Sequence, residues 1–176
     1  EAFRLSPFPN RSTDVDVVLD VMIHDIDLVL KLAGSEVEEV EAFGMPIVSD
    51  KDDLASARIR FTNGAVANIT ANRASKERVR RINVYQRDAC IAIDYASQSV
   101  TVSRPTYDAS TGLKPLVDDE IASDKKDALF EELSSFIESC STRKTPVVSG
   151  VDGKKALEVA VMVQLAIKSG RTRQAR

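Results

Sequence analysis

The chain has 176 residues, 43% hydrophobic and 29% charged. One domain of that size buries roughly 70% of its unfolded surface, enough for a core without staples. A net charge of −3, and no apolar run near the ~20 residues that span a bilayer, argue against nucleic-acid and membrane partners. Cys90 and Cys140 are the two cysteines. They lack metal-ligand spacing, so no metal is expected, and they read as buried or idle thiols of a reducing, cytoplasmic compartment. No signal peptide is recognisable. Glu1 is not an initiator methionine and the chain opens directly on a strand pattern. A fragment of a longer protein is therefore expected.

Residues 2–6 read as a strand, followed by the proline- and turn-rich loop SPFPNRST at 6–13. Asp14 or Thr13 could cap a helix that runs to about Leu32, with Gly34 as its stop. Residues 37–47 alternate as a strand. The runs 54–61 and 65–73 flank Asn63-Gly64, a strong hairpin signal. Strands at 77–86, 90–96 and 99–104 come next on short connections, which favour antiparallel neighbours. Residues 105–124 are polar and irregular, with one further short strand near 114–119. Amphipathic helices at 126–140 and 151–170 close the pattern, the second stopped by Gly170, and the basic tail 171–176 is expected to be mobile. One helix, a run of about six strands and two helices predict an α+β fold. Its sheet should be open and largely antiparallel, with the helices packed on one face.

The first helix carries the chemistry. At 100° per residue, Asp16, Asp20, His24, Asp27 and Lys31 fall on one stripe of an otherwise apolar surface. His24 is the single histidine in the chain. Asp20 and His24 are four residues apart, so their side chains can meet. A carboxylate beside an imidazole orients the ring and favours its charged form, as proton transfer with a hydroxyl requires. The stripe could equally be the solvent face of a nearly buried helix, and pattern alone leaves both readings open.

The wider order narrows them. D-x-x-x-H-x-x-D (Asp20, His24, Asp27) opens a helix behind a strand and an Arg-bearing, Pro-rich loop, a sheet comes after it, and VDGKKALEVA (151–160) begins a late helix. Over nearly its whole length the chain resembles the C-terminal domain of the Gfo/Idh/MocA oxidoreductases. The stretch RLSPFPNRSTDVDVVLD with MIHDID is most similar to a bacterial branch acting on nucleotide-activated amino sugars. The resemblance implies a substrate domain beside an N-terminal Rossmann domain that binds NAD or NADP. It implies His24 as proton acceptor or donor at a sugar hydroxyl or ketone, with Asp20 assisting it. It also implies pairing of subunits, as a homodimer or tetramer, through the sheet face away from the helices. Where many members carry glycines before that aspartate, this chain has Asp14, Val15 and Asp16. It contains no G-x-G-x-x-G and no E-K-P, so the fragment alone is expected to be inactive.

Further candidates flank the motif. Asp27 could reach a sugar hydroxyl or a neighbouring strand. Arg4 and Arg11 suit a diphosphate or sugar oxygens through forked hydrogen bonds, or are surface arginines. Asp14 and Asp16 suit capping or first-turn positions. The basic set Arg73, Lys76, Arg78, Arg80, Arg81 and Arg87 reads as a solvated rim or subunit contact rather than a nucleic-acid site. If Ile69, Ile82, Val84, Ile91 or Ile93 lie on the sheet's second face, that face needs cover. A different class stays open: a non-catalytic dimerisation or ligand-binding module that kept the fold. Some relatives within the family instead use NAD transiently to cleave glycosidic bonds.

Overall fold

The computed structural model describes residues 1–9, 14–108, 110–112, 114–122 and 125–174, with 172–174 described by their backbone alone. Among the described residues, eight strands form one sheet: β1 (Ala2–Leu5), β2 (Val37–Met45), β3 (Leu54–Phe61), β4 (Val66–Asn72), β5 (Val79–Tyr85), β6 (Cys90–Asp94), β7 (Ser99–Pro105) and β8 (Leu116–Ile121). Their spatial order is β2-β3-β4-β1-β5-β6-β7-β8. All neighbours are antiparallel except β1 and β4, which run parallel. The α+β class is as expected, but the sheet is larger than six strands. β1 is inserted at its centre, and the polar LVDDEI of β8 adds an exposed edge.

The helices are α1 (Ile23–Ala33), entered through a π-helical turn at Val18–Met22, then α2 (Ala128–Thr142) and α3 (Gly150–Gln174). Alternation puts Ala55, Ala57, Ile59 and Phe61 of β3 and Ala67, Ile69 and Ala71 of β4 on one face, where all are buried. Alanines there let helices approach closely. Val18, Met22, Ile26 and Val29 from the first helical segment, and Ala156, Val159, Ala160, Val163 and Ile167 at helical spacing on α3, complete the core. Gly44 of β2 marks a close approach, because a Cβ there would lie 2.9 Å from Ile167 Cδ1. Gly34 ends α1 in the left-handed region at φ 58°, its amide donating to the Leu30 carbonyl at 3.0 Å, as the sequence predicts. The Asn63-Gly64 hairpin also forms, with Gly64 at φ 86°.

Several expectations are corrected. Ile69 and Ile82 flank Ala2 in register, and Ile93 and Ile91 pair with Ile82 and Val84, so all of these isoleucines face the helices. The second face instead carries Ser56, Arg58, Asn68, Thr70 and Asn83, with Phe43, Met45, Val66 and Tyr85 exposed among them. Gly170 does not stop α3, since a helix holds glycine wherever tertiary contacts outweigh its modest propensity cost. Arg171 is not in a mobile tail: it donates to the Gly44 carbonyl at 2.9 Å and pairs with Asp52. α2 does not join the helices on the sheet, and none of its residues is buried. Neither cysteine is buried: Cys90 is half-buried, Cys140 is exposed, and both are free.

Candidate active site

The helical segment is capped by Asp16, two residues beyond Asp14 and three beyond Thr13, the expected caps. Asp16 Oδ1 accepts from the Val18 and Leu19 amides at 3.1 Å each, satisfying donors that no earlier turn can satisfy. Its other oxygen accepts from Gln164 Nε2 of α3 at 2.6 Å. The π turn then spans Asp20. Bonding over five residues instead of four rotates the later part of the helix relative to the earlier part, and such turns are frequent at functional sites. The predicted stripe is thereby split. Asp16 reaches α3, Asp20 reaches the end of β4, His24 is exposed, Asp27 is half-buried, and Lys31 is exposed.

Asp20 pairs with Arg73, whose Nη1 lies 3.6 Å from Asp20 Oδ2. Arg73 comes directly after β4 and is 0% exposed, so it is no part of a solvated rim, although Lys76, Arg78, Arg80, Arg81 and Arg87 are exposed or half-exposed as expected. Its Nε donates to Asp53 Oδ1 at 3.0 Å and its Nη1 to the Val15 carbonyl at 2.9 Å. Its guanidinium carbon sits 5.6 Å from the centre of the Phe8 ring. Asp53 is itself fully buried. Burial pushes its carboxyl up, but donation from the Ser49 amide and hydroxyl and from the Ile47 and Val48 amides outweighs that. The result is a carboxyl held well below the usual carboxylate range.

His24 stands one turn beyond Asp20. Among the described residues no hydrogen bond joins the two, and His24 presents its ring to solvent. The neighbouring Asp25 turns inward and is 2% exposed. It receives Arg4 Nε and Nη2 at 2.7 Å each, a bidentate pair that ties the start of α1 to the central strand. Arg4 thus spends two of its three nitrogens on Asp25. Tyr95, just after β6, lies in the field of the same pair. Burial pushes its hydroxyl up, Asp25 adds to this, and Arg4 opposes it. Asp27 opens on a separate groove of about 620 Å³ between the end of α1 and the start of α3, lined also by Lys31, Glu36, Asp152 and Lys155. Arg11 lies outside the described residues.

The structure therefore brings Arg4, Asp20 and His24 to one end of the helix and sends Asp27 elsewhere. Sequence reasoning misses Asp25, Arg73, Asp53 and Tyr95. Asp25 carries a weak signal, being an acidic residue on the apolar side of the helix. Arg73 and Asp53, 20 residues apart in sequence, meet only through the β3–β4 pairing. The connection from β1 to the π turn contains no glycine, and the chain carries no G-x-G-x-x-G motif.

The mixed eight-stranded sheet with a D-x-x-x-H helix packed on it is an architecture shared with known oxidoreductases. The profile of the GFO/IDH/MocA C-terminal domain matches residues 6–92, and the chain belongs to the Gfo/Idh/MocA family. It is 34% identical over 169 residues to UDP-N-acetylglucosamine 3-dehydrogenase of Acidithiobacillus ferrooxidans, covering 96% of this chain and 54% of that one. A solved structure of that enzyme superposes with a TM-score of 0.87 over the same shares of the two chains. Myo-inositol 2-dehydrogenase of Thermotoga maritima is 30% identical over 163 residues, covering 89% of this chain and 48% of that one. Levoglucosan dehydrogenase in complex with NADH and levoglucosan shares the fold, at a TM-score of 0.79 and 17% identity, over 96% of this chain and 56% of that one. The chain spans about half the length of the curated relatives it matches.

Proposed function

We propose that this chain is the substrate-binding and proton-transfer half of an NAD(P)-dependent oxidoreductase that interconverts a hydroxyl and a ketone on a sugar or nucleotide sugar. The observation that carries the reading is the placement of His24: an exposed imidazole one turn beyond an ion-paired carboxylate, on a helix pinned to the central strand through Asp25 and Arg4. In the oxidising direction His24 accepts the hydroxyl proton as the ketone forms, and it returns that proton in reduction. Asp20, held by its ion pair with Arg73, supports the charged ring or receives a sugar hydroxyl. Arg4 keeps one nitrogen for a sugar or phosphate oxygen, and Arg11 is a second candidate for the same oxygens. Asp27 serves a more distant part of the substrate.

Hydride acceptance belongs to NAD or NADP, bound mainly by a separate nucleotide-binding domain. The chain's lack of a glycine-rich cradle and its half-length match to the relatives support that division. The 34% identity to UDP-N-acetylglucosamine 3-dehydrogenase favours a nucleotide-activated amino sugar as the substrate. A second copy of the chain covers the second sheet face, where Phe43, Met45, Val66 and Tyr85 are exposed among polar neighbours. A monomer at micromolar concentration in a scattering measurement would contradict that pairing. The function is tested with the full-length protein, NAD or NADP, and a panel of nucleotide sugars and inositols, monitored by nicotinamide absorbance. Turnover of a nucleotide sugar is expected. Ligand binding without any absorbance change across the panel would favour a non-catalytic module.

A further inference from the structure

The acid/base motif leaves one buried cation unexplained. Arg73 lies outside D-x-x-x-H, yet it is 0% exposed and is bonded to segments on both sides of the helix start. A buried arginine needs one carboxylate for neutrality, and Asp53 supplies it. Asp53 is 0% exposed and takes amides from Ile47, Val48 and Ser49 at 2.6 to 2.9 Å, so its charge is spent inside the protein. Asp20 is the second carboxylate on the same guanidinium, and its side chain keeps 22% exposure. Among the described residues, the cluster pairs one guanidinium with two carboxyl groups, and the more exposed of these belongs to Asp20.

The backbone is drawn in as well. Arg73 Nη1 donates to the Val15 carbonyl, the Arg73 amide donates to the Asp53 carbonyl at 2.9 Å, and the Val17 amide donates to the Asp52 carbonyl at 2.8 Å. These bonds clamp the residues ahead of the π turn to the segment between β2 and β3. Asp20 lies inside that turn, so its direction depends on the clamp.

Resting on the proposed acid/base role of Asp20 and His24, we infer that Arg73 is a positioning residue for the reaction. It fixes the π turn and orients the Asp20 carboxyl at the edge of the site. Without it, Asp20 loses its orienting charge and the turn loses its tie to Val15.

The test is a double-mutant cycle in the full-length enzyme with its nucleotide-sugar substrate. Arg73→Lys and Arg73→Met are each made alone and with Asp20→Asn, and thermal unfolding is measured beside kcat and KM. Arg73→Met is expected to lower kcat on the order of 10–100-fold, the scale of a small misplacement in a reacting geometry, with KM changing much less. Arg73→Lys keeps the charge without the fork, so it should recover part of the loss and carry the cycle if Arg73→Met does not fold. In the Asp20→Asn background either change should lower kcat by less than about threefold, because the group being positioned is already altered. Equal losses in both backgrounds, or full kcat in Arg73→Lys and Arg73→Met alike, would overturn the inference while leaving the acid/base reading intact. Full turnover in Asp20→Asn alone would instead remove the reading of Asp20 and the inference with it.

Discussion

Removing Arg4 should destabilise the chain far more than a surface arginine would. Asp25 is 2% exposed and receives two 2.7 Å hydrogen bonds from that one guanidinium. In Arg4→Met the carboxylate stays buried without its counter-charge. Breaking a buried pair from one side costs roughly 3–5 kcal/mol, and the 17% exposure of the Arg4 side chain puts this case at about 3 kcal/mol. For a domain of this size that is a drop in Tm of roughly 6–12 °C. Asp25→Asn removes the charge while keeping the shape, so Arg4→Met/Asp25→Asn should cost at least about 1 kcal/mol less than the two single changes summed. Urea titration monitored by far-ultraviolet circular dichroism measures all three. An Arg4→Met variant within about 0.5 kcal/mol of the parent, as for a surface residue, would refute the reasoning and return Arg4 to the role of a free substrate ligand.

Packing and charge make two other expectations measurable. Gly44→Ala places a methyl 2.9 Å from Ile167 Cδ1 and 3.1 Å from Asp52 Cγ, and should cost about 1–3 kcal/mol by crowding those two side chains, read from the same titration. Asp53 has a depressed pKa in the folded state, so its stabilisation is complete above the unfolded carboxylate value near 4 and is lost as pH falls through the lower folded value. Asp53→Asn should therefore lower stability at pH 7 and flatten its decline below about pH 4, measured as Tm against pH.

How much of the molecule is legible in the sequence depends on the reach of each interaction. Asn63-Gly64 and Gly34 announce themselves because a positive φ is a local demand. The strict alternation of LASARIRF places four residues inward with no knowledge of the partner strand. His24 and Asp20 are legible as a motif. The π turn is not, because a period of 3.6 cannot show where one extra residue enters a turn. Asp16 reads as a capping or first-turn charge, but the register of its cap emerges only in the folded chain. Arg73 looks like its exposed basic neighbours because its burial depends on Asp53, and strand pairing alone brings the two together. Ile91 and Ile93 are hard to assign to a face because β1 enters between β4 and β5 from the far end of the chain.

The most direct test of the account is turnover of His24→Ala in the full-length enzyme, assayed with its nucleotide-sugar substrate and nicotinamide cofactor at saturation. His24 is exposed and bonded to none of the described residues, so the fold should survive with unchanged Tm. Loss of a general acid–base group predicts kcat lower by about 10²–10⁴-fold. A variant that turns over at nearly the parent rate would contradict the assignment of His24 as the proton-transfer residue.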